Sequence, residues 1–91
     1  MKVKDFLTED KWIQKFGAIN SEGVWVSAND ESAVKWCLIG AIYKCYELFP
    51  LKVANKVYDH LRATVGCSSI ATFNDTHTYE EVIALAKELD I

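Results

Sequence analysis

Ala33-Val34-Lys35-Trp36-Cys37-Leu38-Ile39-Gly40-Ala41-Ile42-Tyr43-Lys44-Cys45-Tyr46-Glu47-Leu48 is the stretch on which the fold turns. Its middle, Trp36 to Tyr43, is apolar on every side of a helical projection. A helix without a polar face is buried on most sides. The preceding Asn29-Asp30-Glu31-Ser32 has the chemistry of a helix start, a capping Asn or Asp followed by acid in the first turn. The spacing therefore predicts a central helix over Ala33–Leu48. Within it Ala33, Cys37, Gly40 and Ala41 form a stripe of small side chains. Glycine in a helix interior costs about 1 kcal/mol against alanine. Close approach of another element at Gly40 is the compensation the sequence suggests.

On the C-terminal side, Phe49-Pro50 interrupts the central helix or opens the next, since proline is tolerated in a first turn. Lys52 to Val65 reads as a helix with Val53, Ala54, Val57, Tyr58, Leu61 and Val65 on one face, and Gly66 as its stop. Cys67 to His77 reads as irregular or extended. Thr78-Tyr79-Glu80-Glu81 is a capping box, and a last helix follows from Tyr79 to about Leu89. On the N-terminal side, Asn20-Ser21-Glu22-Gly23 is a turn cluster. Phe16–Ile19 and Val24–Val26 flank it as a small antiparallel hairpin. Lys2 to Asp10 forms a short helix with Val3, Phe6 and Leu7 on one face.

With 91 residues, one globular domain over residues 1–91 is the expectation. Half of the chain (51%) is apolar and proline (1) and glycine (4) are scarce, which argues against a disordered tail protein. The net charge is −3, and the ten basic residues are dispersed, so a nucleic-acid partner is not expected. The start MKVKDFLTED lacks the apolar core of a signal peptide. The longest apolar run is far below the ~20 residues of a membrane span, so no membrane association is expected. Three cysteines, Cys37, Cys45 and Cys67, form no CxxC pair. On one helix Cys37 and Cys45 would be about 12 Å apart along its axis, too far for a disulfide. A reducing cytoplasm is the expected compartment.

Few residues invite chemistry. Cys37 is a candidate nucleophile, with His60 or His77 as base and Asn74 or Asp75 to orient it. Against this, a cysteine in mid-helix amid apolar neighbours is ordinarily a small buried hydrophobe. His60, His77, Cys67 and Asp75 match no zinc-ligand spacing, so neither a metal nor another cofactor is expected. Phe73-Asn74-Asp75 is either a loop held by Asn and Asp side chains or the polar floor of a pocket walled by Trp12 or Trp36. Trp12, Trp25 and Trp36 are core residues by default. Trp25 becomes a partner anchor if strand register turns it outward, and Tyr79 is a second candidate.

Thr8-Glu9-Asp10-Lys11-Trp12, Gly23, Ala33, Trp36-Cys37-Leu38-Ile39-Gly40-Ala41-Ile42, Phe73-Asn74-Asp75, Thr78 and Glu81-Val82 follow one another in this order. The pattern resembles an uncharacterised family of small bacterial and phage-encoded proteins. Those share an early tryptophan, a Trp-Cys-x-x-Gly-Ala helix, a Trp/Phe-Asn-Asp loop and a closing Thr-x-x-Glu-Val helix. The resemblance implies a compact, mainly helical fold and a prokaryotic or phage source. It implies no activity. Phe73 stands where tryptophan is common, and His77 is outside the pattern.

Together these readings give a mainly α fold of the α+β kind. Three or four helices surround a central buried helix, with a small β-hairpin beside them. The function expected is that of a non-enzymatic interaction protein that binds and modulates a host protein. The alternative is a small enzyme or ligand-binding protein with a pocket around Cys37 and Asn74–Asp75. The residues expected to meet a ligand or partner are Trp12, Trp25, Cys37, Asn74 and Asp75.

Overall fold

In the computed structural model, which describes residues 1–67 and 69–91, the central helix begins at Leu38 rather than at Ala33. Ala33–Trp36 is a strand instead. The Asp30 carboxylate accepts from Ser32 N–H (2.8 Å) and Ser32 hydroxyl (2.6 Å), and Ala33 N–H bonds Asp30 C=O. The capping chemistry read at Asn29–Ser32 is thus spent on a tight turn that delivers the chain into the strand. The helix start lies at Cys37, whose thiol sulfur accepts from Gly40 N–H at 3.4 Å.

Five helices and two strands make up the described chain, and the mainly helical architecture with a small antiparallel hairpin holds. Helix α1 is Val3–Phe6, strand β1 Ala18–Asn20 and strand β2 Ala33–Trp36. Helix α2 is Leu38–Cys45, α3 Pro50–Thr64, α4 Ile70–Thr76 and α5 Tyr79–Leu89. A single 3-10 turn, Glu9–Lys11, follows α1, so the helix expected over Lys2–Asp10 is broken in two. Helix α2 packs against α1, α3, α4 and β2. Its Leu38, Gly40, Ala41 and Ile42 are buried, while Tyr43 is 40% exposed. The apolar run is therefore buried on most sides, as its pattern predicts, with one outward side at Tyr43.

The hairpin differs from expectation in its partner. β1 pairs with β2, with Ala18 opposite Trp36 and Ile19 opposite Lys35. Val24–Val26 flanks β1 on the other side through Asn20 N–H to Val24 C=O and Val26 N–H to Ala18 C=O, with one bridge between Ile19 and Trp25. The turn between them is held as read. Asn20 Oδ1 accepts from Glu22 and Val24 N–H, and Gly23 adopts φ +80°. The Trp36 indole N–H reaches back to Ala28 C=O at 2.9 Å, which holds the long connection against β2.

Helices α3 and α5 have the expected bounds to within two residues, with Pro50 at the first turn, Gly66 at φ +68° and the Thr78–Glu81 capping box complete. Val65 lies just past the end of α3 and is exposed, so it drops out of the apolar face read for that helix. The segment expected to be irregular, 67–77, contains α4, and position 68 of it lies outside the described residues. Ser69 caps α4 by accepting from Thr72 N–H, and Ile70 and Phe73 bury its inner face. The two chain ends meet. Val3 N–H and Tyr46 O–H both bond Ile91 C=O. Hydrogen bonds and charge from Lys2 and Lys4 hold Asp90 at about 2, below the usual carboxylate range.

Candidate functional site

Four of the five residues singled out from the sequence converge around the start of α2. Asn74 is fully buried on α4 and bridges three segments. Its Oδ1 accepts from the Trp12 indole N–H at 2.7 Å and from Leu38 N–H at 3.0 Å. Its Nδ2 donates to Ile13 C=O at 3.1 Å and to Asp75 Oδ1 at 3.3 Å. Asn74 therefore supplies, from 36 residues downstream, the acceptor that the first N–H of α2 needs. Gln14 reinforces the same seam by donating to the carbonyls of Asn74 and His77.

Asp75 is exposed and holds Lys15, whose backbone N–H donates to Asp75 Oδ1 at 2.7 Å. Lys15 has φ +76°, a conformation that costs a non-glycine residue about 1–2 kcal/mol. The bond to Asp75 offsets that cost. It aims the chain so that Gly17 C=O can accept from Cys37 N–H at 3.1 Å. No buried side-chain nitrogen or oxygen among the described residues lacks a partner, so this seam is fully satisfied.

Cys37 sits at the helix N-terminus, not in mid-helix as read from the sequence. Such a position ordinarily favours a thiolate. Burial dominates here and pushes the thiol up, with a further contribution from the Asp75 charge, against the opposing N–H groups of Gly40 and Ile39. At neutral pH the group is a neutral acceptor. We expect Cys37, 4% exposed, to react with a maleimide at least about ten-fold more slowly than half-buried Cys67 near pH 7. Pulse labelling read peptide by peptide checks this, and faster modification of Cys37 would restore the nucleophile.

His60 and His77 lie elsewhere, lining a groove between α3, α4 and α5 with Glu81 and Glu88. His60 Nε2 is 3.3 Å from Glu88, and His77 stacks on Phe73 while its Nδ1 meets Phe73 C=O at 2.8 Å. No cluster of three or more His, Cys, Asp or Glu suited to a metal occurs among the described residues. No helix among them is long and apolar enough to cross a membrane.

Trp25 stands apart from this seam. It is 68% exposed, and its backbone bridge to Ile19 sends both side chains to one face. Together with Gly17, Ile39, Gly40 and Tyr43 it borders an open depression of about 690 Å³. Val24 and Phe16 are also exposed nearby in the chain. Tyr79, the other candidate anchor, is half-buried and donates its O–H to Leu7 C=O. The sequence reading missed Tyr43 and Gly17. Tyr43 is hidden in a wholly apolar run, though its position at the end of that run, beside Lys44, and its hydroxyl tip are signals that it faces outward.

Residues 1–89 match the family described as a family of unknown function, DUF6197. The chain belongs to that family. No curated protein and no solved structure matches it.

Proposed function

We propose that this member of a family without known activity is a non-enzymatic interaction protein of a bacterium or phage, which binds a host protein and modulates it through the Trp25 surface. The observation that carries the reading is the exposed indole of Trp25 beside an apolar depression floored by Gly17 and Gly40. Large exposed aromatics in such patches are where partner contacts concentrate their free energy. Protein is favoured over nucleic acid because the net charge is −3. Three free thiols support the reducing cytoplasm as its compartment.

The competing reading, a pocket around Cys37 and Asn74–Asp75, is less well supported. Asn74 spends its side chain on Trp12, Ile13, Leu38 and Asp75, and the Cys37 sulfur on Gly40. These groups are already engaged in holding the fold.

A photo-crosslinking residue at Val24 identifies the partner in host cells, and the purified partner is then titrated. Trp25→Ala should weaken binding by about 30-fold or more, the effect of losing a central aromatic anchor worth ~2 kcal/mol. Its melting temperature should stay near wild type, since exposed substitutions change stability by about 0.5 kcal/mol or less. Equal affinity of the variant and the wild type for the partner removes this proposal.

A further inference from the structure

Three features of the Trp25 surface bear on what occupies it. The first is a strand edge whose Trp25 N–H and C=O have no backbone partner among the described residues. Asn20 N–H bonds Val24 C=O and Val26 N–H bonds Ala18 C=O, so the backbones of Val24 and Val26 turn toward β1. Between them, the N–H and C=O of Trp25 point the opposite way, to the outer edge of the ladder. The second is the apolar depression beside that edge, large enough for a bulky side chain. The third is charge. From Gly17 to Val34 the chain carries Glu22, Asp30 and Glu31 and no lysine or arginine. Asp30 borders the depression itself. Its carboxyl is held below the usual range by the Ser32 hydroxyl and N–H, so it is charged at neutral pH. The basic residue across the ladder, Lys35, lies opposite Ile19 and does not line the depression.

Resting on the reading of Trp25 as the anchor, we infer that the occupant is an extended segment of another protein, which adds as a strand along Val24–Val26. It places a bulky apolar side chain in the depression and a lysine or arginine beside Asp30. Main-chain pairing supplies affinity in such strand addition, and the side-chain pockets supply choice. A carboxylate at the border of such a site favours a partner segment of the opposite sign and speeds encounter.

The test uses the full chain and three short fluorescent peptides, read by anisotropy at physiological salt. One alternates leucine and valine with lysine, the second has glutamate for each lysine, and the third is the lysine peptide N-methylated at alternate residues. The lysine peptide should bind at least about ten-fold more tightly than either other peptide. Trp25→Ala should weaken it at least about ten-fold, and Asp30→Asn with Glu31→Gln at least about five-fold. The Asp30→Asn change keeps a side-chain oxygen for Ser32 to bond, so this pair of changes leaves the turn in place.

Equal binding of the lysine and glutamate peptides overturns the basic partner, and an indifferent response to N-methylation overturns strand pairing. Either result leaves the Trp25 effect on the crosslinked partner standing. Loss of that effect overturns both proposals together. A concentration-dependent dimer in sedimentation velocity, abolished by Trp25→Ala, assigns the surface to a second copy and overturns the foreign segment.

Discussion

Asn74→Ala should cost about 3–4 kcal/mol of stability. The side chain is fully buried and bonds the Trp12 indole, Leu38 N–H and Ile13 C=O. Truncation leaves each of these without its partner, and an unsatisfied buried group costs about 1–3 kcal/mol. Leu38 N–H suffers most, because it opens α2 beneath the seam and has little access to water. A domain of this length loses ~4–8 °C of melting temperature per kcal/mol. The variant should therefore melt some 15–25 °C below wild type by circular dichroism.

Asn74→Asp separates hydrogen bonding from size. It keeps both acceptor bonds, loses the donor to Ile13 C=O and places a second carboxyl beside Asp75, 3.3 Å from the atom it replaces. Burial and the neighbouring charge raise the folded-state pKa of such a group above its unfolded value of about 3.9. Its charged form is then disfavoured in the native state, so stability falls as pH rises from about 4 toward the raised value. Asn74→Asp should accordingly be weakest at neutral pH and recover part of its loss near pH 4, relative to wild type at each pH. If Asn74→Ala melts within a degree or two of wild type, the side chain is not what joins α4 to α2, and the pocket reading of Asn74–Asp75 regains ground.

The same residue explains what could be read from the sequence and what could not. Helices α3 and α5 are legible because every signal that bounds them is local: Pro50 at the entry, Gly66 at the exit, Thr78 and Glu81 reciprocally capped. The start of α2 is not, because its first N–H is satisfied by Asn74 from a distant helix and its own cap is a cysteine, a residue without capping preference. Ala33–Trp36 then merges with the helix, since four residues of mixed pattern cannot tell period 2 from period 3.6. Helix α4 does carry a local signal, Ser69 ahead of Ile70 and Phe73. It is outweighed by Asn74-Asp75, a pair that usually marks a loop. Trp12, Cys37, Asn74 and Asp75 stand out together in the sequence, but their spacing alone cannot say that their role is to join segments. Whether Trp25 faces out depends on register, which the chain fixes through Asn20 and the β1–β2 ladder.

Gly40→Ala should destabilise by about 2 kcal/mol or more, although the same change in a helix interior ordinarily stabilises by ~1 kcal/mol. A Cβ at Gly40 would lie 2.9 Å from the Gly17 carbonyl carbon and closer still to its oxygen. That oxygen is not free to move, because it accepts from Cys37 N–H. The obstacle is backbone, so no rotamer change relieves it, and either α2 or the Gly17 segment must shift. Gly40→Leu should be worse for the same reason. Gly17→Ala is the control on the other side of the contact. Its Cβ would meet nothing nearer than the Trp25 indole nitrogen at 3.9 Å, so it should cost about 0.5 kcal/mol or less. The asymmetry between the two glycines is the measurement: urea titrations of both variants at one temperature. A Gly40→Ala protein as stable as wild type would mean that α2 and the Gly17 segment are not in contact. A destabilised one should also bind the Trp25 partner more weakly, because Gly17 and Gly40 floor the depression beside that indole. Gly17, with the Trp25 indole on one side and Gly40 on the other, ties the shape of the surface to the seam that Asn74 closes.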